Sequence, residues 1–263
     1  MATIAPHRDA ASSDTRSPAT GSLALSEEFR VRIWMWDSSA RISEPLVERD
    51  VDVWTIRLAD AANHTQMLEA LLSPSERERG RRFRKKDDCS RFVAGRGILR
   101  ILAAQYRRCG SHEIEVGIEP SGKPILRLNP SENALHFNIS HSGEIVAIAY
   151  ARTPVGIDVE KIRSDMEWRE IAGRFFSASE FQQLLDLPFP DQRLEFFRRW
   201  TRKEAFAKAA GTGLQVPLAE LPSTCADAGL EAIHDSKRRL YTVCDFEPAS
   251  GYAGAIAGAV PNH

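Results

Sequence analysis

Alternating apolar and polar residues predict two short strands early in the chain, at Val31 to Trp36 and at Val51 to Ile56. We expect ordered structure to begin near Val31. In Ser73-Pro74-Ser75-Glu76, a serine cap, a proline in the first turn and a glutamate three residues after the cap form a capping box. A helix therefore begins there, and a second, from about Asp87 to Ala103, has apolar residues at helical spacing.

The middle of the chain combines a turn with three more strands. The turn is Ser121-Gly122-Lys123-Pro124, and two strands are predicted after it, at about 135–140 and 145–150. Thr153-Pro154 is the best place to divide the chain. A third strand, Val155 to Glu160, follows this division directly.

The second half repeats the mixture of helices and strands. Ser177-Ala178-Ser179-Glu180 is another capping box, and its helix is predicted to end at Pro188 and Pro190. A stronger helix runs from about Asp191 to Ala210 and stops at Gly211-Thr212-Gly213, as a glycine C-cap requires. The last strands are predicted at about 239–247 and 252–259, joined by Pro248-Ala249-Ser250-Gly251. Helices and antiparallel strands in each half indicate the α+β class, with two similar halves.

Three segments follow from this division. Residues 1–22 are rich in Ala, Ser, Thr and Pro without apolar periodicity, and we interpret them as a disordered N-terminal extension. They contain no apolar core of a secretory signal. Residues 23–153 form the first α+β half and residues 154–263 the second.

Composition excludes several classes of protein. At 263 residues, with 43% hydrophobic and 27% charged residues, the chain is long enough to bury a core. The longest weakly apolar run, Ala253 to Val260, is far shorter than the roughly 20 residues that span a bilayer. The four cysteines lack CxxC spacing, which argues against zinc and a disulfide framework. Free thiols favour a cytoplasmic location.

The net charge of −1 is an average over unequal parts. From Ser73 to Arg108 there are 12 Lys or Arg residues against 4 Asp or Glu, whereas acids exceed bases elsewhere. A basic block within a neutral protein indicates a local anionic partner rather than nucleic acid, which usually needs a wholly basic domain. A solvated helix face is the simpler explanation of the same charges.

Two acids on one strand form the first candidate site. In Val155 to Glu160, side chains alternate, so Asp158 and Glu160 share a face about 7 Å apart along the backbone. Carboxylate oxygens held this close favour a hard cation such as magnesium. Taken alone, an ordinary half-exposed strand with solvated acids explains the pattern equally well.

The second candidate site lies in Trp200 to Lys208. On a helix, Trp200, Glu204 and Lys208 share one side, while neighbouring aromatic residues anchor the helix in the core. We therefore expect Glu204 to lie at the margin of a pocket. A Glu four residues before a Lys is also a common surface pair, worth only about 0.3–0.5 kcal/mol.

The third candidate site is Phe137 to Gly143. This strand ends in Ser140-His141-Ser142-Gly143, whose hydroxyls, imidazole and backbone N–H groups suit phosphate binding. A Ser–His nucleophile pair is less well supported, because adjacent residues on a strand point apart and no nucleophile elbow surrounds Ser140.

Together, and in this order, the motifs resemble the 4′-phosphopantetheinyl transferases of the larger, surfactin-synthetase-activating type. Gly-Ile-Asp-Val-Glu at 156–160 is similar to the first signature of that family, and Trp-Thr-Arg-Lys-Glu-Ala-Phe-Ala-Lys at 200–208 matches the second. Further similarity is found at Phe137 to Gly143, Gly122-Lys123-Pro124, Phe175-Phe176-Ser177 and Gly211 to Leu214. The resemblance spans about residues 70–260.

The resemblance implies a pseudo-dimer of two α+β halves with coenzyme A and Mg²⁺ in the cleft between them. The implied reaction moves the 4′-phosphopantetheine arm to a carrier-protein serine and releases adenosine 3′,5′-bisphosphate. By motif position, Asp158, Glu160 and Glu204 hold the metal, Glu204 also acts as general base, and Lys208 binds the pyrophosphate.

The resemblance also implies a set of coenzyme A contacts. These residues are Arg79, Arg91, Lys123, Pro124, Ser140, His141, Asp158 and Lys208. The chain departs from the family at Glu76, where a lysine near the 3′-phosphate is common. Arg77, Arg79 and Arg84 are the neighbouring candidates to replace it.

The implied partner is an acyl or peptidyl carrier protein, with no nucleic acid and no membrane. We expect its acidic helix to dock on first-half arginines and on apolar side chains of the segment between Arg163 and Phe181. Charge reversal of Arg198 and Arg199 tests whether the long helix takes part in docking. The sequence does not distinguish carriers of fatty-acid, polyketide and nonribosomal-peptide synthesis. Two halves in one chain make a monomer sufficient.

Two other functions fit part of the pattern. A non-catalytic module that binds coenzyme A or a carrier protein would keep the fold, but the complete carboxylate set with Lys208 argues against it. A metal-dependent phosphodiesterase or nuclease would also use clustered carboxylates. Its usual histidine-rich or two-metal ligand spacings are missing from the sequence.

Overall fold

The computed structural model describes residues 21–26, 29–119, 122–127, 134–211, 218–221, 231–235 and 238–260. In chain order, the strands are β1 (Gly21–Ser26), β2 (Phe29–Met35), β3 (Asp50–Arg57), β4 (Val116–Ile118), β5 (Pro124–Leu126), β6 (His136–Ser142), β7 (Ile145–Ala151), β8 (Val155–Lys161), β9 (Glu231–His234), β10 (Leu240–Phe246) and β11 (Tyr252–Ala259). The helices are α1 (Leu58–Ala62), α2 (Thr65–Ala70), α3 (Pro74–Arg81), α4 (Lys86–Arg107), α5 (Trp168–Phe175), α6 (Ala178–Asp186) and α7 (Phe189–Ala210).

The strands form two main sheets and a hairpin. The first sheet has the order β1-β2-β3-β7-β6, in which β2 and β3 are parallel and the other neighbours antiparallel. The second sheet, β8-β11-β10-β9, is antiparallel throughout. β4 and β5 pair as a separate hairpin. The chain passes from the first sheet to the second between β7 and β8, where we predict the domain boundary.

The two sheets stack face to face between two long helices. On the inner faces, Val51 and Val53 of β3 pack with Val155, Ile157 and Val159 of β8. On the outer face of the first sheet, alternate residues of β3 and β7 pack with apolar residues of α4. α7 covers the outer face of the second sheet. The resulting layers are helix, sheet, sheet and helix, which confirms the predicted α+β class.

The two halves resemble each other in their helices. Each has a capping box, at Ser73 with Glu76 and at Ser177 with Glu180, that opens a short helix before a helix of 22 residues. In each, the capping glutamate also bonds a cation of the long helix. Glu76 pairs with Arg100 at 2.7 Å, and Glu180 pairs with Lys203 at 2.9 Å. This shared arrangement agrees with the predicted pseudo-dimer.

The predicted elements are present, with shifted ends. The expectation that structure begins near Val31 is wrong, because β1 begins at Gly21 and pairs with β2 at the edge of the first sheet. α7 begins at Phe189 rather than near Asp191, since Pro190 lies in its first turn, where a missing N–H is harmless. Gly211 has a φ of 71°, which confirms the glycine C-cap.

Some predictions fall on residues outside the described ranges. These are residues 1–20 of the predicted extension, Ser121 of the turn, and Thr212 to Leu214 after α7. Among the described residues, no helix is both long and apolar enough to cross a membrane.

Candidate active site at the junction of the two sheets

β6 and β8, edge strands of different sheets, are joined by side chains of β6. The Asn138 side-chain oxygen accepts a hydrogen bond from the Ile157 N–H at 3.0 Å. Ser140 Oγ accepts from the Val159 N–H at 3.4 Å, and Ser142 Oγ accepts from the Lys161 N–H at 3.0 Å. These acceptors follow the two-residue period of a strand and bond backbone donors that an edge strand leaves unpaired. We call this row of contacts the seam.

The seam also fixes the two acids of β8. Ser140 Oγ donates to Asp158 Oδ1 and Ser142 Oγ donates to Glu160 Oε2, each at 2.8 Å. Asp158 and Glu160 lie on the face of β8 opposite the apolar residues that pack between the sheets. The predicted alternation along this strand is therefore confirmed.

Gly156 allows α7 to lie directly against this face of β8. A Cβ atom built there would lie 2.0 Å from the Ala205 carbonyl oxygen and 2.5 Å from the Ala209 amide nitrogen. No side chain fits between the two backbones. The aromatic residues Phe196, Phe197 and Phe206 are at most 2% exposed and anchor α7 in the core, as predicted.

α7 contributes Lys208 and Glu204 to the site. Lys208 Nζ donates to Asp158 Oδ1 at 2.6 Å, to the Ile157 carbonyl oxygen at 3.2 Å and to Ser140 Oγ at 3.3 Å. Glu204, one turn earlier, is half-buried. Burial raises the pKa of Glu204, the charge of Lys208 opposes this rise, and the charge of Asp158 adds to it.

Glu160 belongs to the same group of charges. Burial and the neighbouring Asp158 carboxylate raise the pKa of Glu160, whereas the hydrogen bond from Ser142 and the charge of Lys208 lower it. Three carboxylates and one ammonium thus come together from two sequence motifs of the second half, one on β8 and one on α7. Such a group can bind cations and accept a proton.

Comparison with known proteins shows which family the chain resembles. Residues 59–153 match the family model described as 4'-phosphopantetheinyl transferase, N-terminal, and residues 154–257 match the 4'-phosphopantetheinyl transferase superfamily. The 4'-phosphopantetheinyl transferase HetI of Nostoc sp. (strain PCC 7120) is 38% identical over 171 residues, 64% of this chain and 72% of the relative. The 4'-phosphopantetheinyl transferase Sfp of Bacillus subtilis (strain 168) is 34% identical over 195 residues, 73% of this chain and 84% of the relative.

This chain belongs to the 4′-phosphopantetheinyl transferase family. The resemblance drawn from its motifs is confirmed. A crystal structure of the Thermotoga maritima holo-[acyl-carrier-protein] synthase is also similar, at 21% identity over 42% of this chain and 64% of its own. Its TM-score of 0.26 is too low to support a structural argument.

The carboxylate of Asp158 shows whether the site of this transferase suits a metal ion. Its Oδ2 atom is buried and has no hydrogen-bond partner among the described residues. A buried carboxylate oxygen without a partner is costly, and a hard cation would satisfy it. The side chains of Asp158, Glu160 and Glu204 do not form a preassembled metal cluster, since no such group of His, Cys, Asp or Glu occurs in the described ranges.

The hairpin of β4 and β5 reaches the same site through Lys123. Lys123 Nζ donates to the Lys208 carbonyl oxygen at 2.6 Å, and burial lowers the pKa of Lys123. Pro124 opens β5 opposite Ile118. The hairpin of the first half therefore contacts the C-terminal end of α7, close to Lys208.

Arg91 and His141 lie together at the end of β6. Arg91 donates to the Gly143 carbonyl oxygen at 2.6 Å and to Asp88 Oδ1, on the same helix, at 2.5 Å. His141 is exposed as a residue. Desolvation of its ring by neighbouring groups lowers its pKa, and the positive charge of Arg91 lowers it further. A cavity of about 560 Å³ opens beside Arg91 and Gly143, and its walls do not include Asp158, Glu160 or Glu204.

The remaining predicted contacts lie on or near α3. Arg79 is exposed, with its guanidinium carbon 5.4 Å from the centre of the Phe92 ring. Glu76, the departure from the family pattern, is engaged in the capping box and in the ion pair with Arg100. Glu76 therefore has a structural role.

One predicted docking residue is unsuitable for that role. Arg199 is buried, with hydrogen bonds to the Glu195 carboxylate at 3.0 Å and the Gln183 side chain at 2.9 Å. Reversing its charge would disrupt α7 itself. Arg198 is exposed and is the residue of the pair that can contact a partner.

Sequence reasoning missed the structural use of Asn138 and Ser142. The signal was present, because Asn138, Ser140 and Ser142 follow the two-residue period of a strand. We interpreted the hydroxyls as phosphate ligands, whereas their oxygens bond the backbone and acids of β8.

Proposed function

We propose that this transferase moves the 4′-phosphopantetheine arm of coenzyme A to a serine hydroxyl of an acyl or peptidyl carrier protein, with adenosine 3′,5′-bisphosphate as the second product. The observation that carries the proposal is the meeting of Asp158, Glu160, Glu204 and Lys208 at the seam, in a chain of this family. Clustered acids and a cation suit the transfer of a phosphate group.

Asp158, Glu160 and Glu204 would hold a Mg²⁺ ion. The unpartnered Oδ2 atom of Asp158 and the all-oxygen donor set support this assignment. When bound there, Mg²⁺ neutralises charge on the pyrophosphate of coenzyme A.

Glu204 is the proposed general base. Burial raises its pKa, which makes it a better proton acceptor than an ordinary glutamate. It takes the proton of the serine hydroxyl as the serine oxygen forms a bond to the β-phosphorus of coenzyme A. The bond from that phosphorus to the bridging oxygen breaks, and its electron pair leaves with adenosine 3′,5′-bisphosphate.

Lys208 would stabilise the negative charge of the leaving group. An ammonium has three donors, and Lys208 directs them at Asp158, the Ile157 carbonyl and Ser140. The contact to Ser140 is the longest, at 3.3 Å, so we expect it to be exchanged for a phosphate oxygen. Lys208 then keeps its hydrogen bond to Asp158 while its ammonium binds the substrate phosphate.

Arg91 and His141 are the proposed contacts for the nucleotide portion of coenzyme A. They are neighbours, and the cavity beside Arg91 provides space for an organic ligand. Lys123 and Ser140 would act nearby through Lys208, which both of them contact. A monomer supplies the complete site, because both strands of the seam belong to one chain.

The proposal is tested by the intact mass of an apo carrier protein incubated with the enzyme, coenzyme A and Mg²⁺. We expect the carrier to gain one phosphopantetheine, and EDTA to prevent the gain. No gain with apo carriers of fatty-acid, polyketide and nonribosomal-peptide synthesis would contradict the proposal. Release of adenosine 3′,5′-bisphosphate without a carrier would instead indicate a hydrolase.

A further inference from the structure

Ser142 bonds both the backbone and an acid of β8. Its Oγ accepts from the Lys161 N–H at 3.0 Å and donates to Glu160 Oε2 at 2.8 Å. We propose that Ser142 is a positioning residue, which holds the Glu160 carboxylate in the orientation that cation binding at the site requires. This inference rests on the proposed function, because it assigns Glu160 to the metal.

A hydroxyl is suited to this double contact. It accepts and donates at the same time, whereas the Asn138 side-chain oxygen at the other end of the seam only accepts. Ser142 thus differs from Asn138 in touching a carboxylate. The two residues share the structural task of joining β6 to β8, and only Ser142 can orient Glu160.

The turn after Ser142 keeps the serine in place. Gly143 has a φ of 54°, and its carbonyl oxygen accepts the hydrogen bond from Arg91 at 2.6 Å. The Glu144 N–H donates to the Tyr252 hydroxyl oxygen at 3.0 Å. Ser142 is therefore held by the seam on one side and by a fixed turn on the other.

Glu160 needs such a support because of its position. It lies near the end of β8, is half-buried, and has a flexible side chain that can adopt several rotamers. Loss of a residue that hydrogen-bonds and orients a metal-binding side chain commonly lowers metal affinity by about 10–100-fold. Without the hydroxyl of Ser142, the carboxylate is free to turn away from Asp158.

The test compares Ser142→Ala with Asn138→Ala in the full chain. The probe is Mn²⁺ in the presence of coenzyme A, and free Mn²⁺ is measured by electron paramagnetic resonance. We expect Ser142→Ala to weaken Mn²⁺ affinity by about 10-fold or more. Ser142→Thr, which keeps the hydroxyl, should restore most of that affinity.

Thermal unfolding separates orientation from stability. Asn138→Ala leaves the buried Ile157 N–H without its acceptor, so we expect a lower Tm with Mn²⁺ affinity unchanged. Ser142→Ala should lower Tm less, because Lys161 is exposed and water can bond its N–H.

Three outcomes would overturn the inference: no binding of Mn²⁺ to the wild-type protein, unchanged affinity in Ser142→Ala, or equal losses in Ser142→Ala and Asn138→Ala. Transfer to a carrier by the wild type is measured in parallel. Active wild-type enzyme with unchanged affinity in Ser142→Ala contradicts this inference alone. Absent transfer contradicts the proposed function, whatever the ratio of affinities.

Discussion

Gly156 determines how closely α7 approaches β8. The added Cβ of an alanine would meet backbone atoms of Ala205 and Ala209 well inside van der Waals contact, and backbone cannot rotate away as a side chain can. α7 would have to shift, together with Glu204 and Lys208. The glycine of the family signature at 156–160 thus allows α7 to place Glu204 and Lys208 at the site.

Gly156→Ala is therefore expected to reduce both stability and transfer. Overpacking of this kind costs about 1–3 kcal/mol of unfolding free energy. Urea unfolding and the transfer rate check the two effects. The matched control is Gly173→Ala, since nothing lies within 4 Å of a Cβ built there, on α5. The control should be neutral or more stable, by up to about 1 kcal/mol. Equal stability of the two variants would contradict the proposed close approach.

At the scale of elements, Lys203 fastens α6 and a neighbouring turn to α7. It is fully buried, pairs with Glu180 at 2.9 Å and donates to the Leu218 carbonyl oxygen at 2.7 Å and to that of Leu221. A buried lysine without partners would be very costly, so these contacts compensate its desolvation. The equivalent pair in the first half joins Glu76 and Arg100.

Lys203→Met should destabilise the protein by about 3–5 kcal/mol, because it removes the ammonium that compensates the buried charge of Glu180. Chemical denaturation measures this loss. Arg82→Met is the control, since Arg82 makes an exposed pair with Glu78 on α3 that is worth at most about 0.5 kcal/mol. Similar unfolding free energies in both variants would show that Lys203 does not fasten the elements.

Local signals in the sequence account for the elements that were predicted. Both capping boxes and the glycine end of α7 depend on neighbouring residues, so they are visible without the fold. α1 and α2 have five and six residues, too short to show helical periodicity. β4, β5 and β9 have three or four residues and were missed for the same reason.

The candidate site was predictable in part. Motif spacing identified Asp158, Glu160, Glu204 and Lys208, and the strand period placed the two β8 acids on one face. The seam was not predicted, because Asn138 and Ile157 belong to different sheets and are 19 residues apart. Local periodicity contains no information about which edge strands become neighbours.

At the scale of the whole molecule, the two halves contribute different groups to one site. The second half supplies the three carboxylates and Lys208, whereas the first supplies the seam hydroxyls, Lys123 and, from the basic helix α4, Arg91 at the end of β6. The net charge of −1 does not reveal that the acids of the site belong to the second half and its basic helix to the first. The site therefore contains groups of both halves.

Arg198 is the residue of α7 with which we expect an acidic carrier helix to interact. It is exposed and lines two neighbouring grooves along α7, together with Leu194. Arg198→Glu should raise KM for the carrier and leave KM for coenzyme A unchanged, since reversal of a rim charge slows association. Steady-state kinetics measure both constants, with exposed Arg41→Glu as the control. An unchanged carrier KM would exclude docking at Arg198.

The most direct test of the account is the single-turnover rate of phosphopantetheine transfer by Glu204→Gln, measured by the intact mass of an acidic apo carrier. Glutamine keeps the size of the side chain and cannot accept the serine proton. We predict a loss of about 10²–10⁴-fold relative to the wild type, with an unchanged Tm. Glu195→Gln, on the same helix but paired with Arg199, should retain activity. A Glu204→Gln rate close to that of the wild type would contradict the assignment of the active site to the seam.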